Sequence, residues 1–188
     1  RVMAGESLAG FDLTERPPDH VAVKEAVFPF ARFPNVDTVL GPEMKSTGEV
    51  MGLDGDFGAA FAKSQLAAGN QLPGRGNVFI SVPDKLKPRA VEVARGFHEL
   101  GFTLYATGGT AAALTAAKIP VKKLFKLNQG RPTALDMLKN GELALVINTP
   151  SGKAAREDEI KIRSTASSAR IPVMTTLRAA SASLEGIR

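Results

Sequence analysis

Cysteine and tryptophan are absent from the 188 residues, and tyrosine occurs once. Without a thiol the chain can form no disulfide, thiolate nucleophile or thiolate metal site, and the cytoplasm is the expected compartment. No apolar run approaches the roughly 20 residues that cross a bilayer, and no basic stretch followed by an apolar one opens the chain. Neither a membrane partner nor secretion is therefore expected. The two histidines, His20 and His98, lie far apart in the pattern with no third ligand at metal spacing, so no metal site is expected either. Aromatics are scarce, and this bears on the charge. The formal balance of +5 is split unevenly: residues 1–76 carry seven Lys/Arg against ten Asp/Glu, residues 77–188 seventeen against nine. A basic half asks for an anionic partner. Stacking on single-stranded nucleic acid needs aromatic platforms, and Phe79, Phe97, Phe102, Tyr105 and Phe125 fall mostly where a core would use them. A small phosphorylated ligand fits better than nucleic acid.

What is present divides the chain in two. Val21, Val23, Glu25 and Val27 alternate as a strand within 20–30, after which Pro29, Pro34 and Gly41-Pro42 break the pattern. Asp56 is placed to cap a helix with Phe57, Ala60, Phe61 and Ser64 on one face. One clear strand and one clear helix cannot build an independent core, so this part reads as a fragment of something larger. Breakers then gather in the stretch 68–76, AGNQLPGRG, which reads as a linker region. The expected division is 1–72, a linker at 73–76, and 77–188.

Beyond the linker the periodicity becomes regular. Strands are expected over 77–82, 102–106, 121–125, 143–148 and 173–175, with helices over 89–100, 110–118, 134–139, 160–170 and 179–187. Such alternation predicts an α/β domain with a five-stranded parallel sheet covered on both faces.

In open sheets of this kind ligands bind beyond the carboxyl ends of the strands. The residues there are polar: Ser81, Asp84, Lys85 and Lys87 after the first strand, Thr107-Gly108-Gly109-Thr110 after the second, and Lys126 with Gly130-Arg131-Pro132 after the third. Asn148 and Thr149 follow the fourth. A Thr-Gly-Gly-Thr turn allows close backbone approach, supplies two hydroxyls and leads into free helix N–H groups, which are the parts of a phosphate cradle. The same turn also serves if Thr110 merely caps a helix. Lys87 and Lys126, ordinary surface residues when taken singly, converge on the turn. Arg131 is suited equally to a phosphate or to a structural ion pair. The run Glu157-Asp158-Glu159 reads as an acidic first helical turn rather than an acid–base pair.

Two blocks of sequence carry a family resemblance. The run 41–52, GPEMKSTGEVMG, with VKEAVFPF at 23–30, resembles the end of the second ATP-grasp half of the carbamoyl phosphate synthetase large subunit. FISV at 79–82 with Lys87, TLYATGGT at 103–110, GRP at 130–132, NGE at 140–142, VINT at 146–149 and IPVMTT at 171–176 resemble that subunit's C-terminal allosteric domain. The resemblance implies a three-layer, Rossmann-like, methylglyoxal-synthase-like fold of strand order 3-2-1-4-5. It further implies a regulatory region that binds UMP as inhibitor, or IMP, and tunes ATP-dependent carbamoyl phosphate synthesis for pyrimidine and arginine production. Carried over by position, the effector contacts are Ser81, Lys87, Thr107, Thr110, Lys126, Asn148 and Thr149. One position that is often Thr in the family is Pro150 here. Glu25 and Thr175 match residues that hold the activator ornithine in some members, and Val173 stands where an aromatic partner is expected. The implied partners are the remainder of the large subunit and a small glutaminase subunit, with homo-oligomerisation allowed. ATP and Mg2+, with K+, serve the full-length enzyme, their ligands lying upstream of the position matching Arg1, so this segment carries no cofactor.

A stand-alone enzyme of methylglyoxal synthase type shares the fold and the cradle. That reaction needs a carboxylate base in a Gly-Gly-Asp loop and a nearby histidine. Gln129-Gly130-Arg131 and Ala155 occupy those places, and a guanidinium cannot act as the base. IMP cyclohydrolase has a similar turn but nothing matching residues 1–72. The segment alone is expected to be inactive.

Overall fold

The computed structural model describes residues 1–14, 17–33, 36–127, 129–150 and 157–188. Five parallel strands, β3 (Asn77–Ser81), β4 (Thr103–Thr107), β5 (Lys122–Leu124), β6 (Leu145–Asn148) and β7 (Val173–Met174), form a sheet of order β5-β4-β3-β6-β7. Counted within the sheet this is 3-2-1-4-5, as the resemblance implied. The period-two alternation of β3 and β6 sorts their side chains to opposite faces. Val78, Ile80, Leu145 and Ile147 enter one core with helices α2 (Lys87–Glu99), α3 (Gly108–Ala116) and α6 (Leu177–Ile187). Phe79 and Val146 enter the other, with α4 (Ala134–Lys139) and α5 (Glu157–Ser168). Burial on both faces explains why these strands read as continuous apolar runs.

Each helix carries the stripe its face requires. Ala90, Val93, Ala94 and Phe97 in α2 follow i, i+3, i+4, i+7 and are all buried. Thr133 and Asp136 close a reciprocal capping box at the start of α4. Thr176 caps α6 by accepting from the Ala179 N–H. Glu157, Asp158 and Glu159 do form the acidic first turn of α5.

The first part has two strands rather than one. β1 (Val21–Val27) pairs antiparallel with β2 (Gly48–Asp54), with Glu25 opposite Val50. The second strand escapes a periodicity reading because its seven residues include Gly48 and Gly52, and only position 52 is buried. Helix α1 (Phe57–Ala67) starts at Asp56, whose carboxylate accepts from the Ala59 N–H as expected. Phe57, expected on the inner face, is 42% exposed, and Gln65 is buried in its stead. Among the described residues before Leu72, Ala60 and Phe61 alone are buried apolar side chains. That is too little apolar burial for an independent core.

The first part is held by close crossings. A methyl group added at Gly52 would overlap the Ala60 carbonyl oxygen of α1, so the helix lies directly on the strand backbone. At Gly58 an added Cβ would stand 2.6 Å from the Glu185 carbonyl oxygen of α6, and at Gly186 one would stand 3.1 Å from the Gly58 oxygen. The two helices thus meet backbone to backbone, with Leu72 tucked alongside. In α1 an alanine ordinarily gains about 1 kcal/mol over glycine in helix propensity, but the steric penalty of overpacking, about 1–3 kcal/mol, opposes it. Gly58→Ala should therefore lower the denaturation midpoint, whereas Gly10→Ala, with nothing within 4 Å of its added methyl, should shift stability by less than about 0.5 kcal/mol. Equal stabilities of the two variants in urea unfolding would disprove the close crossing.

Candidate functional site

The carboxyl ends of β3, β4 and β6 open on one edge of the sheet, and register decides which side chains meet there. Ser81 lies across from Asn148, and Thr107 across from Leu124, two residues before Lys126. The Thr149 N–H donates to the Ser81 carbonyl at 3.1 Å, drawing the end of β6 toward β3.

Helix α3 begins at Gly108, two residues before the expected start. Gly108 has φ of +31°, which lets the chain turn from β4 straight into the helix. The N-cap is therefore Thr107, not Thr110. Its backbone is extended and its hydroxyl makes no capping bond. Asp56, Thr133 and Thr176 all spend their side chains on their own helices. The first-turn N–H groups of α3 thus lack a side-chain cap and remain donors at the carboxyl end of β4.

Lys87 reaches this turn from the start of α2. Its ammonium lies where a side chain at residue 109 would go: a Cβ on Gly109 would stand 2.5 Å from Lys87 Nζ. The missing side chain of Gly109 is what admits the cation. Lys87 is steadied by Asp84, Nζ to Oδ1 2.7 Å. Hydrogen bonding to Lys87, then its charge, hold the exposed Asp84 carboxyl below the usual range. Lys126 is exposed and pairs with no carboxylate among the described residues.

Other expected contacts are engaged within the protein. Thr110 is buried, its Oγ1 at 3.4 Å from the Val82 nitrogen and 3.5 Å from the Val82 oxygen, so it tethers α3 to the end of β3. Asn148 is buried and its amide oxygen accepts from Arg163 Nη1 at 2.6 Å. Thr149 Oγ1 is buried without a hydrogen-bond partner among the described residues. Such an orphan hydroxyl costs about 1–3 kcal/mol, which a ligand acceptor would recover. Arg131 is 86% exposed and lies 3.4 Å from Asp136 Oδ1, the ion-pair alternative. Ala155 lies outside the described residues.

Arg163, which sequence reasoning passed over, is fully buried. Its Nε and Nη2 donate to the two carboxylate oxygens of Asp37 at 2.7 and 2.6 Å, and Nη1 lies 3.8 Å from Glu159. Burial pushes the Asp37 carboxyl up, but the bonds from Arg163 and the N–H groups of Val39 and Thr38 outweigh it and hold the group below the usual range. The one signal available was a basic residue flanked by Ile162 and Ala166 on the buried stripe of α5.

A second concavity, about 940 Å3, lies between the first part and the ends of β7 and α6. Glu25, Gln65, Asn70, Val173 and Thr175 are among its walls. Glu25 and Thr175, distant in sequence, therefore face one space. Burial pushes the Glu25 carboxyl up, a bond from Gln65 only partly countering it. A half-buried carboxylate that forms no ion pair among the described residues is placed to receive a cation.

Comparison with known proteins accords with this architecture. The MGS-like domain family matches residues 89–175. The whole chain is 53% identical to the carbamoyl phosphate synthase large chain of Gemmatimonas aurantiaca, covering 17% of that protein. It is 48% identical to the carbamoyl phosphate synthase large chain, C-terminal section, of Aquifex aeolicus, covering 35%. Identity to the arginine-specific, chloroplastic large chain of Oryza sativa subsp. japonica is 47% over all of this chain and 16% of the relative. The chain thus spans about one sixth to one third of the length of these relatives. With a parallel sheet of MGS-like order and about half its residues shared from end to end, the chain belongs to the carbamoyl phosphate synthase large-chain family as a segment containing an MGS-like domain.

Proposed function

We propose that residues 77–188 form a regulatory domain that binds a nucleoside monophosphate, UMP or IMP, with its phosphate at the start of α3. On this reading residues 1–72 are the end of the ATP-grasp synthetase half, 73–76 link the two, and the effector tunes carbamoyl phosphate synthesis by the whole protein. The observation that carries it is the Lys87 ammonium laid over Gly109 beside an N-terminus that Thr107 leaves uncapped. A dianionic phosphate there meets backbone N–H groups, the positive end of the helix dipole and a cation. Lys126 supplies a second cation from the neighbouring strand, and the Thr149 hydroxyl has an acceptor to gain.

Lys126→Met should weaken UMP binding by about 1.5–3 kcal/mol, the range for a hydrogen bond to a charged group. Calorimetric titration of the full-length large chain reads this directly, and an unchanged affinity would remove Lys126 from the site.

Catalysis of the methylglyoxal synthase kind needs a base near residues 129–131. The nearest described carboxylate, Asp136, is committed to the Thr133 N–H and hydroxyl at 2.9 and 2.8 Å. Backbone and hydroxyl bonds from Thr133 hold its carboxyl below the usual range, the opposite of what a proton acceptor needs. Purified protein should form no methylglyoxal from dihydroxyacetone phosphate. Turnover that copurifies with the chain and disappears in Asp136→Asn would overturn this.

The cavity at Glu25 is proposed to take an ammonium ligand of ornithine type. Such a ligand favours the ionised carboxyl and so releases a proton on binding. Affinity should therefore fall as pH is lowered through the raised pKa of Glu25. In Glu25→Gln both the affinity and its pH dependence should be lost while UMP affinity stays within about threefold, because the two sites share no residue. Retention of the pH dependence in that variant would place the titrating group elsewhere.

A further inference from the structure

Asn148, at the end of β6, offers a ligand one kind of group only. Arg163 has donors and no acceptor, so the atom of Asn148 facing it at 2.6 Å is the amide oxygen. The amide nitrogen is left, and it has no hydrogen-bond partner among the described residues. Asn148 thus presents N–H donors to whatever occupies the strand end. Its orientation depends on Arg163, and Arg163 depends on a residue from the other part of the chain. Asp37 takes the fork of the guanidinium with both oxygens, across 126 positions of sequence. Arg163 has no exposed surface, so without Asp37 the described groups that its charge would face are the more distant Glu159 and the neutral Asn148. The bridge runs from the 36–40 segment through α5 to the effector edge of the sheet. At its two ends stand the buried hydroxyls of Thr38 and Thr149, both without partners among the described residues.

We propose that Asp37 and Arg163 are positioning residues for the effector site, so that docking of the 36–40 segment and effector binding favour each other. This rests on the phosphate-site reading above. With Asp37 in place Arg163 holds Asn148 with its donors outward, and the ligand meets a preformed site. With Asp37 withdrawn Arg163 must turn toward Glu159 or water, and Asn148 is released to rotate. By linkage, a ligand that needs the oriented amide must in turn hold Asp37 in its bridge.

The test uses the full-length large chain and UMP as probe. Asp37→Ala should weaken UMP binding roughly tenfold, within the usual span of coupling between sites, and Asp37→Asn, which keeps one acceptor, should lose less. Thermal unfolding of each variant verifies that it is folded. Saturating UMP should slow amide exchange across residues 36–40 in the parent protein, and this protection should disappear in Asn148→Ala, which leaves Asp37 and Arg163 intact. If Lys126→Met loses affinity while both Asp37 variants bind UMP as tightly as the parent, the relay is wrong and the phosphate site stands. If exchange at 36–40 is indifferent to UMP, the linkage is equally refuted. If the parent binds neither UMP nor IMP, the phosphate-site reading fails and takes the relay with it.

Discussion

A guanidinium with no exposed surface must be neutralised where it sits, and that requirement organises the molecule around Arg163. Breaking a buried pair by removing one partner commonly costs about 3–5 kcal/mol, far more than its net contribution when intact. The 36–40 segment delivers Asp37 to helix α5 and so supplies that neutralisation. The strand end at Asn148 is then shaped by the same charge. Two parts of the chain that share little apolar core are in this way joined by a paired charge.

The remaining contact between the parts is one of shape. Large exposed apolar side chains fall almost wholly in the first part, from Val2 and Met3 through Met44, Met51 and Leu53 to Leu66, with Phe125 the exception among the described residues. The parallel-sheet domain, by contrast, closes both of its cores with its own helices. One part of the chain is complete in its burial and the other presents exposed apolar surface.

The sheet was legible because burial on both faces leaves an unmistakable sequence trace: Val78, Phe79 and Ile80 are apolar in succession, and each strand is followed by a helical stripe. Strand order within the sheet is not written in any one segment and came from the family resemblance. β2 was not legible, since Gly52 is selected by the nearness of α1 and not by any strand propensity. Thr107 and Lys87 were found as strand-end polar residues. Their division of labour with Thr110 depended on where α3 begins, and that depended on the backbone angle at Gly108. Arg163 and Asp37 were missed because a buried ion pair joins residues whose local surroundings each look ordinary, one within a helix and the other in a proline-broken stretch.

The crossing of α1 over α6 bears on how such a protein can be recombined. At Gly58 and Gly186 no side chain intervenes between the two backbones, so the fit is set by the main chain of both helices and cannot be relaxed by rotamer changes. A parallel-sheet domain transplanted from one relative to another therefore has to bring α6 with a small residue at its end and find a small residue waiting in α1. The inheritable module is defined by that pair of positions, one in α1 and one in α6, and an exchange cut between α1 and β3 divides it.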